Sequence, residues 1–235
     1  MTDPGPVLII PVYNPAPGWQ EVLTDRFRQF LSATQMPFTL VLVNDGSTVP
    51  VDTQLISGEL KDRFRYLSYD HNRGKGAAIK FGLSHYTSDI NVFTDIDLPY
   101  TIESMAATVS ELQKNSGISV GYRDEKYYAD VSVFRTLLSK SLRWLNTIIL
   151  GLPVNDTQCG LKAFDREVAG VICGCTTDRF LIDLELLLAV SKRNIRITPV
   201  HVSLRKDVDF SKFNSSVLLK EVFSFLTLVW KYRIR

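Results

Sequence analysis

The 235-residue chain has few cysteines, and their spacing does not suggest a cysteine-based site. Cys159, Cys173 and Cys175 are an odd number, the last two are too close for an ordinary disulfide, and no histidine cluster lies nearby. The pattern therefore predicts free thiols in a reducing compartment rather than a disulfide framework or a zinc site.

The chain also lacks a strong excess of charge and a long uncharged apolar run. A net charge of +2 gives no sign of the basic stripe that nucleic-acid binding requires, so we expect no nucleic-acid partner. No stretch reaches about 18 uncharged apolar residues, so no complete transmembrane helix is encoded. The short polar segment 1–6 is not expected to be a signal peptide. What remains is an ordinary globular composition, with 45% hydrophobic residues, that suits one α/β domain.

Two common nucleotide-binding motifs are missing. The glycine-rich segment 72–76 has no Gly-Lys-Ser/Thr order, which excludes a Walker sequence. The first apolar run does not lead into Gly-x-Gly-x-x-Gly, which argues against a Rossmann oxidoreductase. Any site must therefore be built from other polar clusters.

Apolar runs alternate with helical patterns through the first hundred residues. Strands are predicted at 7–12, 38–43, 65–69 and 91–94, with helices between them at 18–33, 52–63 and 77–85. Continuous apolar runs are typical of strands buried on both faces, as in a parallel sheet with right-handed crossovers. Further helices are predicted at 102–113, 131–150 and 183–192, and further strands at 118–121 and 195–204. The sequence thus predicts an α/β fold with an open, mostly parallel sheet flanked by helices.

Three polar clusters follow predicted strands at the points where those strands end: 11–14, 45–47 and 95–97. Ligands gather at the carboxyl ends of parallel strands, so we expect the three clusters to converge on one edge of the sheet. Asp95 and Asp97 suit a hard divalent cation that is shared with phosphate oxygens, and the alternative is a pair of solvated turn residues. Two carboxylates at the mouth of a sheet repel each other unless a positive group lies between them.

Other polar segments admit more than one interpretation. Asp45 is either a helix N-cap or an acceptor for a nucleobase. The segment 72–76 is either an anion site at a helix N-terminus or a solvated loop. The segment 156–162 is either part of a site or a loop without function. Asp183 and Glu185 lie two residues apart on an apolar helix, so they do not share a face and at most one enters the site.

Five motifs occur in order: Pro-Val-Tyr-Asn at 11–14, Asn-Asp-Gly-Ser at 44–47, Asn-Arg-Gly-Lys-Gly-Ala-Ala at 72–78, Asp-Ile-Asp-Leu-Pro-Tyr at 95–100 and Asp-Thr-Gln-Cys-Gly-Leu-Lys at 156–162. This set, spread over essentially residues 7–200, closely resembles the inverting family-2 glycosyltransferases of the GT-A fold. Within them it is most similar to the polyprenyl-phosphate glycosyltransferases, such as dolichyl-phosphate glucosyltransferase and dolichyl-phosphate mannose synthase. The resemblance implies a GT-A catalytic domain over residues 1–210, followed by a segment 211–235 with an apolar C-terminal helix.

The resemblance also assigns the donor side of a site. The base and ribose of a UDP- or GDP-hexose would contact Pro11, Tyr13, Asn14 and Asp45, and the glycine-rich loop would add Arg73 and Lys75. Asp95 and Asp97 would bind the donor diphosphate through Mg²⁺ or Mn²⁺. Some relatives have glutamine where this chain has Pro99, so we expect a leaner coordination in which Asp97 carries more of the metal binding. Asp97 is also the catalytic candidate on this side.

On the acceptor side, the resemblance implies that Arg123, Arg135 and Ser139 hold the phosphate of a polyprenyl phosphate. Asp156, Gln158 and Lys162 would line the same pocket, and Ser211-Lys212 is similar to a further acceptor-side pair. Guanidinium groups fit phosphate oxygens bidentately, which makes the residue types suitable. The alternative is that the two arginines are solvated surface residues.

The expected reaction is a single in-line displacement that moves glucose or mannose to the lipid phosphate with inversion. A phosphomonoester, with a second pKa of about 6, is already an anionic nucleophile, so positioning matters more than a strong base. One alternative is a hydroxyl acceptor, for which Asp183 would be the base. Another is a non-catalytic binding module, against which the intact Asp95 and Asp97 argue.

The segment Val217 to Trp230 is apolar, with Lys220 and Glu221 inserted and basic residues after it. Such a segment either lies in a membrane interface or packs on the core. We expect a cytoplasmic protein attached peripherally to the cytoplasmic face of a membrane.

Overall fold

The computed structural model describes residues 5–123, 154, 156–205, 228 and 231–232. Within these residues a seven-stranded sheet has the order β3-β2-β1-β4-β6-β5-β7. Its strands are β1 (Val7–Val12), β2 (Thr39–Asp45), β3 (Phe64–Tyr69), β4 (Asn91–Phe93), β5 (Ile118–Tyr122), β6 (Lys162–Phe164) and β7 (Ile197–His201). The helices are α1 (Trp19–Thr34), α2 (Gln54–Leu60), α3 (Lys75–His85), α4 (Ile102–Asn115), α5 (Arg166–Cys173) and α6 (Ile182–Lys192), and a 3-10 turn follows α2 at Lys61–Arg63.

The predicted α/β fold with a mostly parallel sheet is confirmed. Strands β3, β2, β1 and β4 are parallel neighbours, and β5 pairs with β7 in parallel. Strand β6 lies between β4 and β5 and runs antiparallel to both of them. The predicted helix 131–150 lies outside the described residues.

Burial on both faces explains the continuous apolar strands. In β1, Val7 and Ile9 pack into one core cluster with α3, α5 and α6, whereas Leu8 and Ile10 pack into a second cluster with α1, α2 and α4. Successive side chains of a strand point to opposite faces, so a strand between two helical layers needs apolar residues at every position.

Three short features differ from the prediction. Helix α3 begins at Lys75, two residues earlier than expected, after Gly74 with φ +107°. Strand β6 was missed because it has three residues inside a polar segment. Helix α5 was missed although its start has a signal, since the Asp165 side chain accepts a hydrogen bond from the Val168 amide as an N-cap.

The reversal of β6 brings distant parts of the chain to one edge of the sheet. Lys162, the first residue of β6, is in register with Phe93 of β4 and with Val120 of β5. Because β6 runs opposite to its neighbours, its beginning lies at the edge where β1, β2, β4 and β5 end. This edge is called the polar edge below.

All three cysteines are described and are free thiols, as predicted. No helix in the described ranges has the length and hydropathy needed to cross a membrane. Most of the segment 217–230 lies outside the described residues. Of it, Leu228 is buried in the core cluster that contains α6.

A substitution at Leu23 tests how α1 packs on the core. Leu23→Ala is expected to lower the free energy of unfolding by about 2–5 kcal/mol, because the lost side chain leaves a cavity. The adjacent Val22 is 42% exposed, whereas Leu23 is fully buried, so Val22→Ala is expected to change the free energy by less than about 0.5 kcal/mol. Urea unfolding followed by tryptophan fluorescence measures both values. Equal losses in the two variants would contradict the orientation of α1.

Candidate active site

The polar edge brings together the three clusters that follow β1, β2 and β4. Asn14 adopts φ +47°, and its backbone amide donates a hydrogen bond to the Ser47 hydroxyl oxygen at 2.9 Å. The Asn14 side-chain oxygen accepts from the Thr48 amide at 2.8 Å. The clusters after β1 and β2 therefore form one surface, on which Tyr13 is exposed and beside which Pro11 is half-buried in β1.

Asp45 is neither a helix N-cap nor an open acceptor in this structure. Its carboxylate accepts from the amides of Arg73 at 2.7 Å and Gly74 at 2.9 Å, and from the Tyr69 hydroxyl at 2.6 Å. Burial, together with the hydrogen bond to Asp45, raises the pKa of Tyr69, which keeps its hydroxyl a donor. Asp45 thus fixes the loop that precedes α3. The sequence had no signal for this contact, which joins residues 29 positions apart.

Arg73 lies on the outside of that loop. Its side chain is exposed, and its guanidinium carbon lies 5.5 Å from the centroid of the Tyr69 ring. The arrangement presents a cation at the rim of the polar edge.

Four charged residues, Lys162, Asp183, Lys75 and Asp95, form a line of alternating charge that is called the ion chain below. The Lys75 ammonium lies 2.9 Å from Asp95 Oδ1 and 3.4 Å from Asp183 Oδ2. Lys162 donates to Asp183 Oδ1 and, at 2.7 Å, to the carbonyl of Cys159. The ion chain therefore joins the end of β4 to the starts of α3, α6 and β6.

The pKa shifts agree with this pairing. Burial alone would lower the pKa of Lys75, but the charges of Asp183 and Asp95 outweigh burial and raise it. Burial alone would raise the pKa of Asp183, but the charges of Lys162 and Lys75 outweigh burial and lower it. Both groups are therefore charged at neutral pH, and each depends on its neighbours to remain so.

The surroundings of Lys162 and Asp183 do not suit the roles expected for these two residues. Lys162 was expected to line the acceptor-phosphate pocket, yet it is fully buried and its ammonium is directed to Asp183 and to backbone carbonyls. Asp183 is 2% exposed and has each oxygen against a lysine. A general base needs an accessible lone pair and a pKa near the working pH, so this geometry disfavours Asp183 in that role.

Asp95 and Asp97 stand at the polar edge after β4. Asp97 is exposed, but nearby protein atoms displace part of the solvent around its carboxyl group, and this together with the charge of Asp95 raises its pKa. Gly160 lies directly against Asp95, since a Cβ on Gly160 would come within 2.2 Å of Asp95 Oδ2. Pro99 is buried, and its carbonyl accepts a hydrogen bond from the Arg205 backbone amide. Because a proline side chain has no ligand atom, this position offers no side-chain ligand to a metal.

Tyr100 connects the aspartate loop with the segment 156–162. Its hydroxyl oxygen accepts from the Gly160 amide at 2.8 Å and from the Cys159 thiol at 3.3 Å. Burial raises the pKa of Tyr100, and the charges of Asp95 and Arg123 also act on it, in opposite directions. The backbone that passes Asp95 is thus anchored by a buried phenol.

Arg123 follows β5 at the same edge and is held by Asp156. Its Nε lies 2.7 Å from one carboxylate oxygen and its second guanidinium nitrogen 2.9 Å from the other, in a bidentate pair. Gln158 is exposed nearby on the same segment. Arg135, Ser139 and the pair Ser211-Lys212 lie outside the described residues.

The fold and the polar edge are those of a glycosyltransferase of the GT-A type: a mostly parallel sheet with an Asp-x-Asp sequence after a central strand. The chain belongs to glycosyl transferase family 2, whose sequence profile matches residues 7–172. It is therefore a glycosyltransferase, and the family resemblance inferred from the five motifs is confirmed.

Curated relatives and solved structures agree with this assignment. The chain is 25% identical to the dolichyl-phosphate beta-glucosyltransferase of Saccharomyces cerevisiae, over 87% of this chain and 68% of that protein. It is 28% identical to the dolichyl-phosphate beta-glucosyltransferase of Dictyostelium discoideum, over 96% of this chain and 76% of that protein. A mannosyltransferase from Pyrobaculum calidifontis, solved in complex with GDP-Man and Mn²⁺, shares the fold with a TM-score of 0.58 at 20% identity, over 87% of this chain and 59% of that one.

Asp183 tests the ion chain through stability. Asp183→Asn is expected to lower the free energy of unfolding by about 3–5 kcal/mol, because it leaves Lys162 buried without its counter-charge. Asp89→Asn is the control, since Asp89 pairs with Arg166 at the surface with 79% of its side chain exposed. The control is expected to cost less than about 1 kcal/mol. Urea unfolding at neutral pH compares the two variants.

The pH dependence gives a second measure of the same contact. The folded-state pKa of Asp183 is lowered, so its contribution to stability is complete above the ordinary carboxyl pKa of about 3.9 and is lost as the pH falls through the folded-state pKa. The difference between wild type and Asp183→Asn is therefore expected to shrink in acid. A difference that stayed constant down to pH 2 would contradict the pairing.

Proposed function

We propose that this glycosyltransferase transfers glucose from a nucleotide-diphosphate sugar to a polyprenyl phosphate of the dolichyl type. Family membership supports the reaction class. The curated relatives from Saccharomyces and Dictyostelium, whose names specify dolichyl phosphate and a beta-glucosyl group, support the acceptor and the choice of glucose over mannose.

The environment of Asp183 is the observation that decides between a phosphate acceptor and a hydroxyl acceptor in this proposal. A hydroxyl acceptor needs a base to remove its proton. Asp183, the candidate for that task, is buried between two lysines and has a lowered pKa. A phosphate acceptor is already anionic at neutral pH and needs orientation instead. This observation favours the lipid phosphate over the hydroxyl acceptor.

Arg123 is the described residue best suited to receive that phosphate. Asp156 holds the guanidinium in one orientation through two hydrogen bonds, and a guanidinium is a planar group that suits phosphate oxygens. Gln158, Arg135 and Ser139 complete the proposed acceptor side. Lys162 takes part indirectly, by holding Asp183 and the backbone of the segment 156–162.

The donor side consists of Pro11, Tyr13, Asn14 and Asp45 for the base and ribose, with Arg73 and Lys75 as cations near the phosphates. Tyr13, Asn14 and Arg73 are exposed at the polar edge, which suits direct contact. Asp45 acts by fixing the loop that carries Arg73 and leads to Lys75, in addition to any contact with the base.

Asp95 and Asp97 fit a hard divalent cation, Mg²⁺ or Mn²⁺. They offer oxygen ligands at an open edge, and burial together with the charge of Asp95 raises the pKa of Asp97. No group of three or more histidine, cysteine or acidic side chains that could hold a metal occurs in the described residues, so diphosphate oxygens and water would complete the coordination. The bound ion would offset the charge that develops on the departing nucleoside diphosphate.

The proposed acceptor implies contact with a membrane surface. A polyprenyl chain remains in the bilayer, so the protein would work at the membrane surface, and we propose that it attaches there peripherally. We place it at the cytoplasmic face, as expected from the free thiols.

A panel of donors and acceptors tests the proposal. UDP- and GDP-linked glucose and mannose are offered with Mn²⁺ and a short polyprenyl phosphate, and release of the nucleoside diphosphate is followed together with the lipid product. The matched control acceptor is the corresponding polyprenol, which differs only in lacking the phosphate. We expect glucosylation of the phosphate and none of the alcohol. Glycosylation of hydroxyl acceptors without lipid-phosphate product would refute the proposed acceptor, and no turnover with any pair would favour a binding module.

Gly160 tests the metal site. Gly160→Ala forces the Asp95 carboxylate to move, because the added Cβ would lie 2.2 Å from Asp95 Oδ2. Mn²⁺ affinity, measured by electron paramagnetic resonance titration with the nucleoside diphosphate present, is expected to fall by about 10–100-fold, and turnover with it. Gly170→Ala is the matched control, since a Cβ there meets nothing within 4 Å. Unchanged Mn²⁺ affinity in Gly160→Ala would exclude Asp95 as a ligand.

A further inference from the structure

Glu185 is a buried acid that the proposed reaction does not use. It lies on α6 two residues after Asp183, is fully buried and belongs to no part of the ion chain. Its carboxylate accepts hydrogen bonds from five groups: the Thr176 amide at 3.1 Å, the Thr176 hydroxyl at 2.9 Å, the Thr177 amide at 2.7 Å, the Lys231 ammonium at 2.7 Å and the Tyr232 hydroxyl at 3.3 Å.

Glu185 holds the segment 176–178, and the first turn of α3 packs directly against this segment. The Ala77 amide donates to the Asp178 carbonyl at 3.0 Å. A Cβ on Gly74 would lie 2.5 Å from the Asp178 carbonyl oxygen, and one on Gly76 would lie 2.8 Å from that of Thr177. The first turn of α3 therefore rests on this segment with no space between them, and Lys75 lies in that turn.

We propose that Glu185 is a positioning residue of the donor site, and that Lys231 is the cation that keeps it in place. Glu185 fixes the segment 176–178, this segment fixes the first turn of α3, and the turn sets the position of Lys75 between Asp95 and Asp183. The link to donor binding rests on the proposed function, through the role of Lys75. The link from Lys231 to the first turn of α3 does not.

The charges support a specific role for Lys231. Burial would raise the pKa of Glu185, but hydrogen bonds from Lys231 and Thr177 outweigh burial and hold it at about 2. Lys231 also donates to the Thr176 hydroxyl at 3.1 Å, so it contacts both the acid and the segment that the acid holds. Without the lysine, the buried carboxylate would keep only neutral donors among the residues that the structure describes, and these are weaker partners than a cation.

Lys231 also joins parts of the chain that are far apart. It follows Glu185 by 46 positions and comes after the polar segment 205–216 that leads into the apolar C-terminal residues. Removing Lys231 would therefore act on the donor site from the C-terminal side of the chain, without touching any residue assigned to the donor or the acceptor.

The test uses Lys231→Met, which keeps the stem of the side chain and removes its charge. Hydrogen–deuterium exchange of the peptide 72–80, in the full chain without substrates, reports whether the first turn of α3 is held. We expect faster exchange at the Ala77 amide in Lys231→Met and protection restored in Lys231→Arg. Lys192→Met is the matched control, because Lys192 is exposed at the end of α6 and its loss is expected to leave exchange unchanged.

Steady-state kinetics gives the second readout, measured with the nucleotide-sugar that the donor panel identifies as a substrate. We expect Lys231→Met to raise the KM for the nucleotide-sugar by about 3- to 30-fold, with the KM for polyprenyl phosphate unchanged and activity recovered in Lys231→Arg. Unchanged exchange would overturn the proposal, and so would faster exchange with an unchanged donor KM. If wild type turned over no donor, the proposed function would fail, and the exchange measurement alone would decide whether Glu185 and Lys231 position α3.

Discussion

The ion chain is the interaction on which the rest of the polar edge depends. Lys162 and Asp183 are almost wholly removed from water, and a single buried charge is tolerated only beside its opposite. The sequence of charges alternates from Lys162 through Asp183 and Lys75 to Asp95, so each member satisfies the next. The members come from β6, α6, α3 and the loop after β4, and their pairing therefore fixes four elements relative to one another. The aspartate that faces the solvent is the last member of a line that begins in the core.

The sequence could predict the strands of the first half because each is a continuous apolar run between helical patterns. It could also place Asp95 and Asp97 at a strand end, since the run 91–94 stops there. It could not show that Asp45 holds the loop before α3, because that contact depends on β2 and β3 being neighbours. Nor could it show that Lys162 is buried. A lysine after a polar segment resembles a surface residue until the antiparallel register of β6 places it beside Phe93. The missed information in each case is a long-range register, which no local pattern contains.

A hydroxyl acceptor needs a base and a phosphate acceptor does not, so the surroundings of the acidic side chains near the polar edge bear on the proposed acceptor. Here the structure encloses Asp183 with two cations and keeps its pKa low, which makes it a structural anion. The opposite arrangement occurs at Arg123, where an acid is used to orient a cation at the edge of the sheet. Together they leave a guanidinium of fixed orientation at the polar edge and no accessible proton acceptor at Asp183.

The contact between Gly160 and Asp95 has a consequence for how two substrates bind. The backbone at Gly160, anchored by Tyr100, lies directly against the Asp95 carboxylate and belongs to the same segment as Asp156, which holds Arg123. A Cβ at position 160 would lie 2.2 Å from Asp95 Oδ2, so the carboxylate would have to move to make room for a methyl group there. If the proposed donor and acceptor bind on opposite sides of this backbone, any effect of one on the affinity for the other must be reciprocal: whatever factor the donor contributes to the affinity for the acceptor, the acceptor returns to the donor. The absence of a side chain at position 160 is what lets the backbone of the segment 156–162 approach Asp95 this closely.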